Sequence, residues 1–210
     1  MSQNIIDAMA QGLPVELPNS IGLTAVRARA QTEIDRWGTR NEYDPMTQTY
    51  LQEYWDTVGL DNWNPSIPWS AAFVSYVMQP FGLPPNSAHW RYVEAVIEGK
   101  ASGWYAYRLQ GPVHLEIGDI LVRPRGIGTP QDEEYYYSHG DIVYQTCPQV
   151  RWVGGNLSDR LKSGQLKTVD GLSDVSEYTI LLRRPKKNMV PILLVGLLGI
   201  VLLTAKGAQK

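Results

Sequence analysis

Cysteine is nearly absent. Cys147 is the only one in 210 residues, which excludes an intrachain disulfide and any zinc site built on several thiolates. Histidine is scarce as well. His89, His114 and His139 stand far apart and match no metal-ligand spacing, so no metal and no cofactor are expected. A basic excess is also missing: 19 Lys+Arg against 21 Asp+Glu leave a net charge of -2. That removes the electrostatic footprint of a nucleic-acid binder, and no nucleic-acid partner is expected. Phenylalanine is rare (Phe 2) while Trp 7 and Tyr 12 are plentiful. Such a bias suits either core filling or half-wet clefts that hold sugars. There is no internal repeat and no low-complexity tract. The opening segment MSQNIIDAMAQGLP has no basic region followed by an apolar run, so no secretory signal is expected. Asn156-Leu157-Ser158 is accordingly read as a chance sequon.

The other end of the chain is strongly apolar. Met189 to Ala205 reads MVPILLVGLLGIVLLTA, without a charge, near the lower bound of the ~17–25 residues needed to span a bilayer. Arg183, Arg184, Lys186 and Lys187 precede it, and Lys206 and Lys210 follow. The expectation is one C-terminal transmembrane helix in a lipid bilayer, with a buried core helix or an interfacial segment as the alternative. The heavier basic cluster lies on the domain side, which by the positive-inside rule keeps the domain on the cytoplasmic face. The chain then divides into a lead-in (1–20), a globular domain with an N-terminal helical arm (21–185) and an anchor (186–210).

Within the globular part, helical spacing runs first. Thr24–Trp37 places Val26, Ala30, Ile34 and Trp37 roughly on one face. Asp44-Pro45 is an N-cap and first-position pair ahead of Leu51, Tyr54, Trp55 and Val58, with Gly59 as the stop. WSAAFVSYVM is a short apolar helix, and Ser87 caps another that runs to Ile97. Strands follow at 118–123, 139–144, 150–153 and 178–182. The first two are separated by a long polar, aromatic loop. Helices followed by an antiparallel sheet make an α+β layout.

Three polar residues occupy positions where chemistry is possible. Ser70 opens an apolar helix, where unpaired N–H groups and the helix dipole favour a nucleophile and an oxyanion. His139 opens a strand and is a candidate base, and Asn156 follows Gly154-Gly155 as a candidate orienter of its ring. Each has a plainer reading: Ser70 as a helix cap, His139 as a satisfied structural histidine, Asn156 as a turn residue. Trp69, His89 and Asp141 are the candidate substrate-binding residues, with surface or supporting roles as alternatives. Asp132, Glu133 and Glu134 read as a solvated run. Pairing them with Glu94 or Glu98 for glycoside cleavage lacks any fixed separation.

The segments Pro68-Trp69-Ser70-Ala71-Ala72-Phe73-Val74-Ser75, Ser87-Ala88-His89, Gly118-Asp119, His139-Gly140-Asp141-Ile142-Val143 and Gly154-Gly155-Asn156 occur in a telling order. This layout resembles the NlpC and CHAP superfamily of papain-like cell-wall amidases and endopeptidases. It is more closely similar to an uncharacterised bacterial and phage branch of that superfamily. The resemblance covers Trp37 to Leu182 and implies a papain-like α+β domain. Its nucleophile matches Ser70, its base His139 and its third polar residue Asn156. The superfamily's nucleophile is normally cysteine, and this chain has serine, which needs a better placed base and oxyanion hole than a thiol does.

The resemblance implies a peptidoglycan hydrolase that cleaves wall peptide amide bonds, with peptidoglycan as its partner. A wall enzyme facing the cytoplasm leads to a further expectation: a lysin in the virion membrane of a membrane-containing phage, or a protein of the bacterial inner membrane, contacting capsid or spike proteins. The alternative is a catalytically inactive module with a structural or binding role in such an assembly.

Overall fold

The computed structural model describes residues 23–61, 64, 67–125 and 138–184. Helix α1 (Leu23–Trp37) turns Val26, Ala30, Glu33 and Trp37 inward, the repeat of an amphipathic helix. Helix α2 (Pro45–Thr57) begins on Asp44, whose carboxylate accepts the Met46 N–H at 2.8 Å. Helix α3 (Ser70–Met78) is buried at every position but Tyr76. Helix α4 (His89–Ile97) starts from Ala88 rather than from Ser87, and Asn86 Oδ1 accepts the Ala88 N–H at 3.2 Å.

The strands are β1 (Tyr105–Arg108), β2 (Ile120–Pro124), β3 (Ser138–Gln145), β4 (Arg151–Gly154), β5 (Lys162–Gln165), β6 (Thr168–Val169), β7 (Leu172–Ser173) and β8 (Ile180–Arg183). Six form one antiparallel sheet in the order β1-β8-β2-β3-β4-β5, and β6 pairs with β7 apart from it. Side chains alternate across the central strands. Ile120, Val122, Ile142, Tyr144, Val153, Ile180 and Leu182 join the helices in the main core. Leu121, Val143 and Leu181 face a second, smaller core with Val113, Leu115 and Tyr178. Because both faces are covered, these strands read as continuous apolar runs rather than as alternating ones.

An aromatic knot joins α1, α2 and α3. Trp37 stacks on Trp69 at 4.8 Å between ring centroids, and Tyr54 lies against both Trp69 and Phe73. Its polar tips are satisfied internally: Trp37 Nε1 donates to Tyr54 Oη at 2.8 Å, Tyr54 Oη to Glu33, and Trp69 Nε1 to Glu42 Oε2 at 2.6 Å. Arg36 Nε bonds Glu33 at 2.7 Å. Desolvation still pushes the Glu33 carboxyl above its ordinary value, against the pull of Tyr54 and Arg36. Across the sheet, Arg183 forks onto Asp119, with Nε to Oδ1 at 2.7 Å and Nη2 to Oδ2, both side chains fully buried. This ties the last strand to the turn that enters β2.

Among the described residues no helix is long and apolar enough to cross a membrane. The fold class is therefore corrected to what the described residues support, α+β with four α-helices and an antiparallel sheet; the expected C-terminal transmembrane helix is not among them. Hydrophobicity alone suggested that helix. The anchor segment (186–210), the lead-in (1–20) and most of the long loop before β3 lie outside the described residues.

Candidate active site

Two hydrogen-bonded chains of side chains meet at the start of β3. The first comes from the helices. Ser70 is the first residue of α3; Trp69 precedes it as N-cap and supplies no capping side chain. Ser70 Oγ lies 2.7 Å from His89 Nε2, at the first position of α4. His89 Nδ1 in turn bonds Tyr92 Oη, one helical turn along. Burial holds the His89 imidazole well below its ordinary pKa, and the nearby His139 and Arg125 add to this. Burial, and then the Asp141 charge, push the Tyr92 phenol well up. Near neutrality His89 is a neutral ring and Tyr92 a protonated phenol.

The second chain belongs to the sheet. His139 Nε2 lies 3.0 Å from Asp141 Oδ1, two residues along the same face of β3. Tyr178 Oη donates to Asp141 Oδ2 at 3.0 Å, and Arg123 Nη2 approaches the same oxygen at 3.5 Å. Desolvation and then the Asp141 charge raise the Tyr178 phenol far above its usual range, so it remains a donor. The two imidazoles, His89 and His139, are 5.8 Å apart between centroids and tilted by 57°.

Two glycines make room for this arrangement. A Cβ at Gly140 would stand 2.6 Å from Tyr92 Oη and 2.7 Å from His89 Nδ1. One at Gly154 would stand 2.0 Å from Asp141 Oδ1 and 2.9 Å from His139 Nε2. Any side chain at either position would push out a member of the site.

The expected residues are redistributed. Ser70 bonds His89 rather than His139, so His89 is the imidazole in contact with the hydroxyl and not a substrate-binding residue at the rim. His139 stands beside that pair. The group that orients it is Asp141, not Asn156: two positions apart on one strand face bring carboxylate and ring together directly. Asn156 is half-buried with a left-handed φ of 54°, and its carbonyl oxygen accepts from Arg125 Nη2 at 3.4 Å. Trp69 is a core residue, fully buried on Trp37 and bonded to Glu42, and has no surface to offer a substrate.

Tyr92, Tyr178, Arg123 and Arg125 were not singled out. The His89–Tyr92 spacing of one helical turn was a usable signal. Tyr178 reaches Asp141 across 37 residues of sequence, and no local pattern announces it. Among the described residues no group of three or more His, Cys, Asp and Glu is placed to hold a metal ion.

A hydroxyl at the first turn of a helix, in contact with a neutral imidazole, is an arrangement suited to nucleophilic acyl transfer. Comparison with models of known protein families and with curated protein sequences finds no match for this chain.

Proposed function

We propose that the chain is a serine-dependent hydrolase of amide bonds in the peptide part of peptidoglycan. The observation that carries this reading is the 2.7 Å contact between Ser70 Oγ and His89 Nε2 at the N-terminus of α3. The ordered NlpC- and CHAP-like segments around Ser70, His89, His139 and Gly154-Gly155 support wall peptide as the substrate class.

In this mechanism His89 carries its proton on Nδ1, donated to Tyr92 Oη, and presents the Nε2 lone pair to Ser70. Ser70 Oγ attacks the amide carbonyl carbon while its proton passes to Nε2. The carbonyl oxygen becomes an oxyanion beside the first-turn N–H groups of α3, which no side chain caps. The C–N bond then breaks, the proton moves from Nε2 to the departing amine, and the acyl group stays on Ser70. A water gives its proton to Nε2 and attacks the ester carbonyl. Return of that proton to Ser70 Oγ releases the carboxylic acid. Asp141, itself held by Tyr178, fixes His139 beside this pair.

Burial favours a second reading. Ser70 is 2 % exposed and His89 5 %, as in an inactive module whose polar cluster only stabilises the fold. The full-length chain, incubated with purified sacculi beside Ser70→Ala, separates the two. Peptide fragments released only by the native protein, and detected by mass spectrometry, establish the hydrolase. A folded protein that releases nothing from several wall chemotypes and takes no fluorophosphonate label on Ser70 is the inactive module.

A further inference from the structure

We infer that Arg125 anchors a carboxylate of the substrate, so that the site selects amides with a free carboxylate within about two residues of the scissile bond. This rests on the hydrolase reading and names its substrate class more closely.

Two arginines, Arg123 in β2 and Arg125 just past its end, are two residues apart in sequence, and their positions differ in one respect. Arg123 is neutralised. Its Nη2 stands 3.5 Å from Asp141 Oδ2, its Nη1 3.3 Å from Glu177 Oε2, and its guanidinium packs on the Tyr178 ring. Arg125 has only neutral partners among the described residues, and both are met through Nη2: the Asn156 carbonyl at 3.4 Å and His139 Nδ1 at 3.5 Å. Its side chain is exposed, and no described residue bonds its Nη1 or Nε. Desolvation, and then repulsion from Arg123, lowers its pKa against the pull of Asp141, and among the described residues no carboxylate pairs with it directly.

Such a group is suited to a ligand that brings the missing charge. A planar guanidinium grips a carboxylate through two parallel N–H···O bonds. The location gives the grip a consequence for chemistry. Arg125 touches His139, whose ring is 5.8 Å from His89, and its charge is one of the causes that hold the His89 pKa down. A carboxylate seated on Arg125 cancels that repulsion. The imidazole that must take the Ser70 proton then takes it more readily, only when the right substrate is bound.

The test follows the histidine imidazole signals of the full-length chain by NMR during titration with N-acetyl-D-alanyl-D-alanine or its C-terminal amide. The acid should shift the His139 signals saturably and bind at least about tenfold tighter than the amide. Arg125→Ala should bring the acid down to the level of the amide, and Arg125→Lys should keep part of the difference. Equal binding of acid and amide, no saturable shift with either, or undiminished acid binding by Arg125→Ala would each overturn the inference. Acid-selective binding without any Ser70-dependent cleavage of sacculi overturns the hydrolase and leaves the anion site standing. Cleavage by a protein that binds acid and amide alike does the reverse.

Discussion

Ser70 Oγ and His89 Nε2 are 2.7 Å apart although they belong to different helices, α3 and α4, each at its first residue. The contact needs both helix starts to converge on one point of β3, where Gly140 has no side chain to keep His89 away. If it serves acyl transfer, Ser70→Ala and His89→Gln each lower wall-peptide hydrolysis by about a thousandfold or more. Fluorophosphonate labelling disappears with Ser70→Ala. Equal labelling of that variant would mean the reactive group lies elsewhere.

The acid side of the stability profile should be governed in part by His89. Its folded-state pKa lies below the ordinary value, because burial, then His139 and Arg125, disfavour the cation. Above pH ~6.5 neither the folded nor the unfolded chain binds this proton, and the full stability is present. As pH falls below that value the unfolded chain takes up a proton that the folded chain refuses. Stability is then lost by up to about 1.4 kcal/mol per pH unit until the folded pKa is reached. Urea unfolding between pH 7.5 and 5 measures the slope. His89→Gln should flatten it, and an unchanged slope would contradict the assignment.

Gly154→Ala tests how tightly the second chain of side chains is packed. The added methyl would overlap Asp141 Oδ1 at 2.0 Å, so carboxylate or strand must shift, at about 1–3 kcal/mol. The melting temperature should fall, and the His139 imidazole signals should move with it. A variant as stable as the native chain would show that Asp141 has room to spare.

Asp119 and Arg183 are a buried ion pair whose halves cannot be removed singly at low cost. Desolvation works against the Arg183 charge, yet the Asp119 carboxylate outweighs it and raises the guanidinium pKa. Asp119→Ala leaves that charge buried without its forked partner, and should cost about 3–5 kcal/mol in chemical denaturation. Loss of less than 1 kcal/mol would mean that Glu116, 3.8 Å away, takes over the pairing.

Trp69→Ala discriminates a core residue from a binding residue. Removing a fully buried indole stacked on Trp37 should destabilise the domain by about 3–5 kcal/mol. Were Trp69 a binding residue, stability would hold and only affinity would fall.

α1, α2 and α4 were legible because each writes its burial at a spacing of three to four residues, α3 as a short apolar run buried almost all round, and Asp44-Pro45 marks a start by local chemistry. β2, β3, β4 and β8 were legible as short apolar runs. β1 and the strands from Lys162 to Ser173 were not, being short and exposed at many positions. β1 pairs with β8, remote in sequence, and β5, β6 and β7 are only two to four residues long, too short to carry a period to read.

What the sequence by itself determined is the set of reactive groups and their local settings: a serine opening an apolar helix, His139 and Asp141 two apart on a strand, His89 and Tyr92 one turn apart on a helix. Local spacing sets which side chains share a face, and that much is independent of the rest of the chain. Only the tertiary structure decided the pairings. It placed His89 rather than His139 on Ser70, gave Asp141 the role first assigned to Asn156, brought Tyr178 to Asp141, and withdrew Trp69 into the core. Those outcomes depend on how α3 and α4 pack against β3 and on where glycine leaves space, which are properties of contacts between distant segments and not of any one of them.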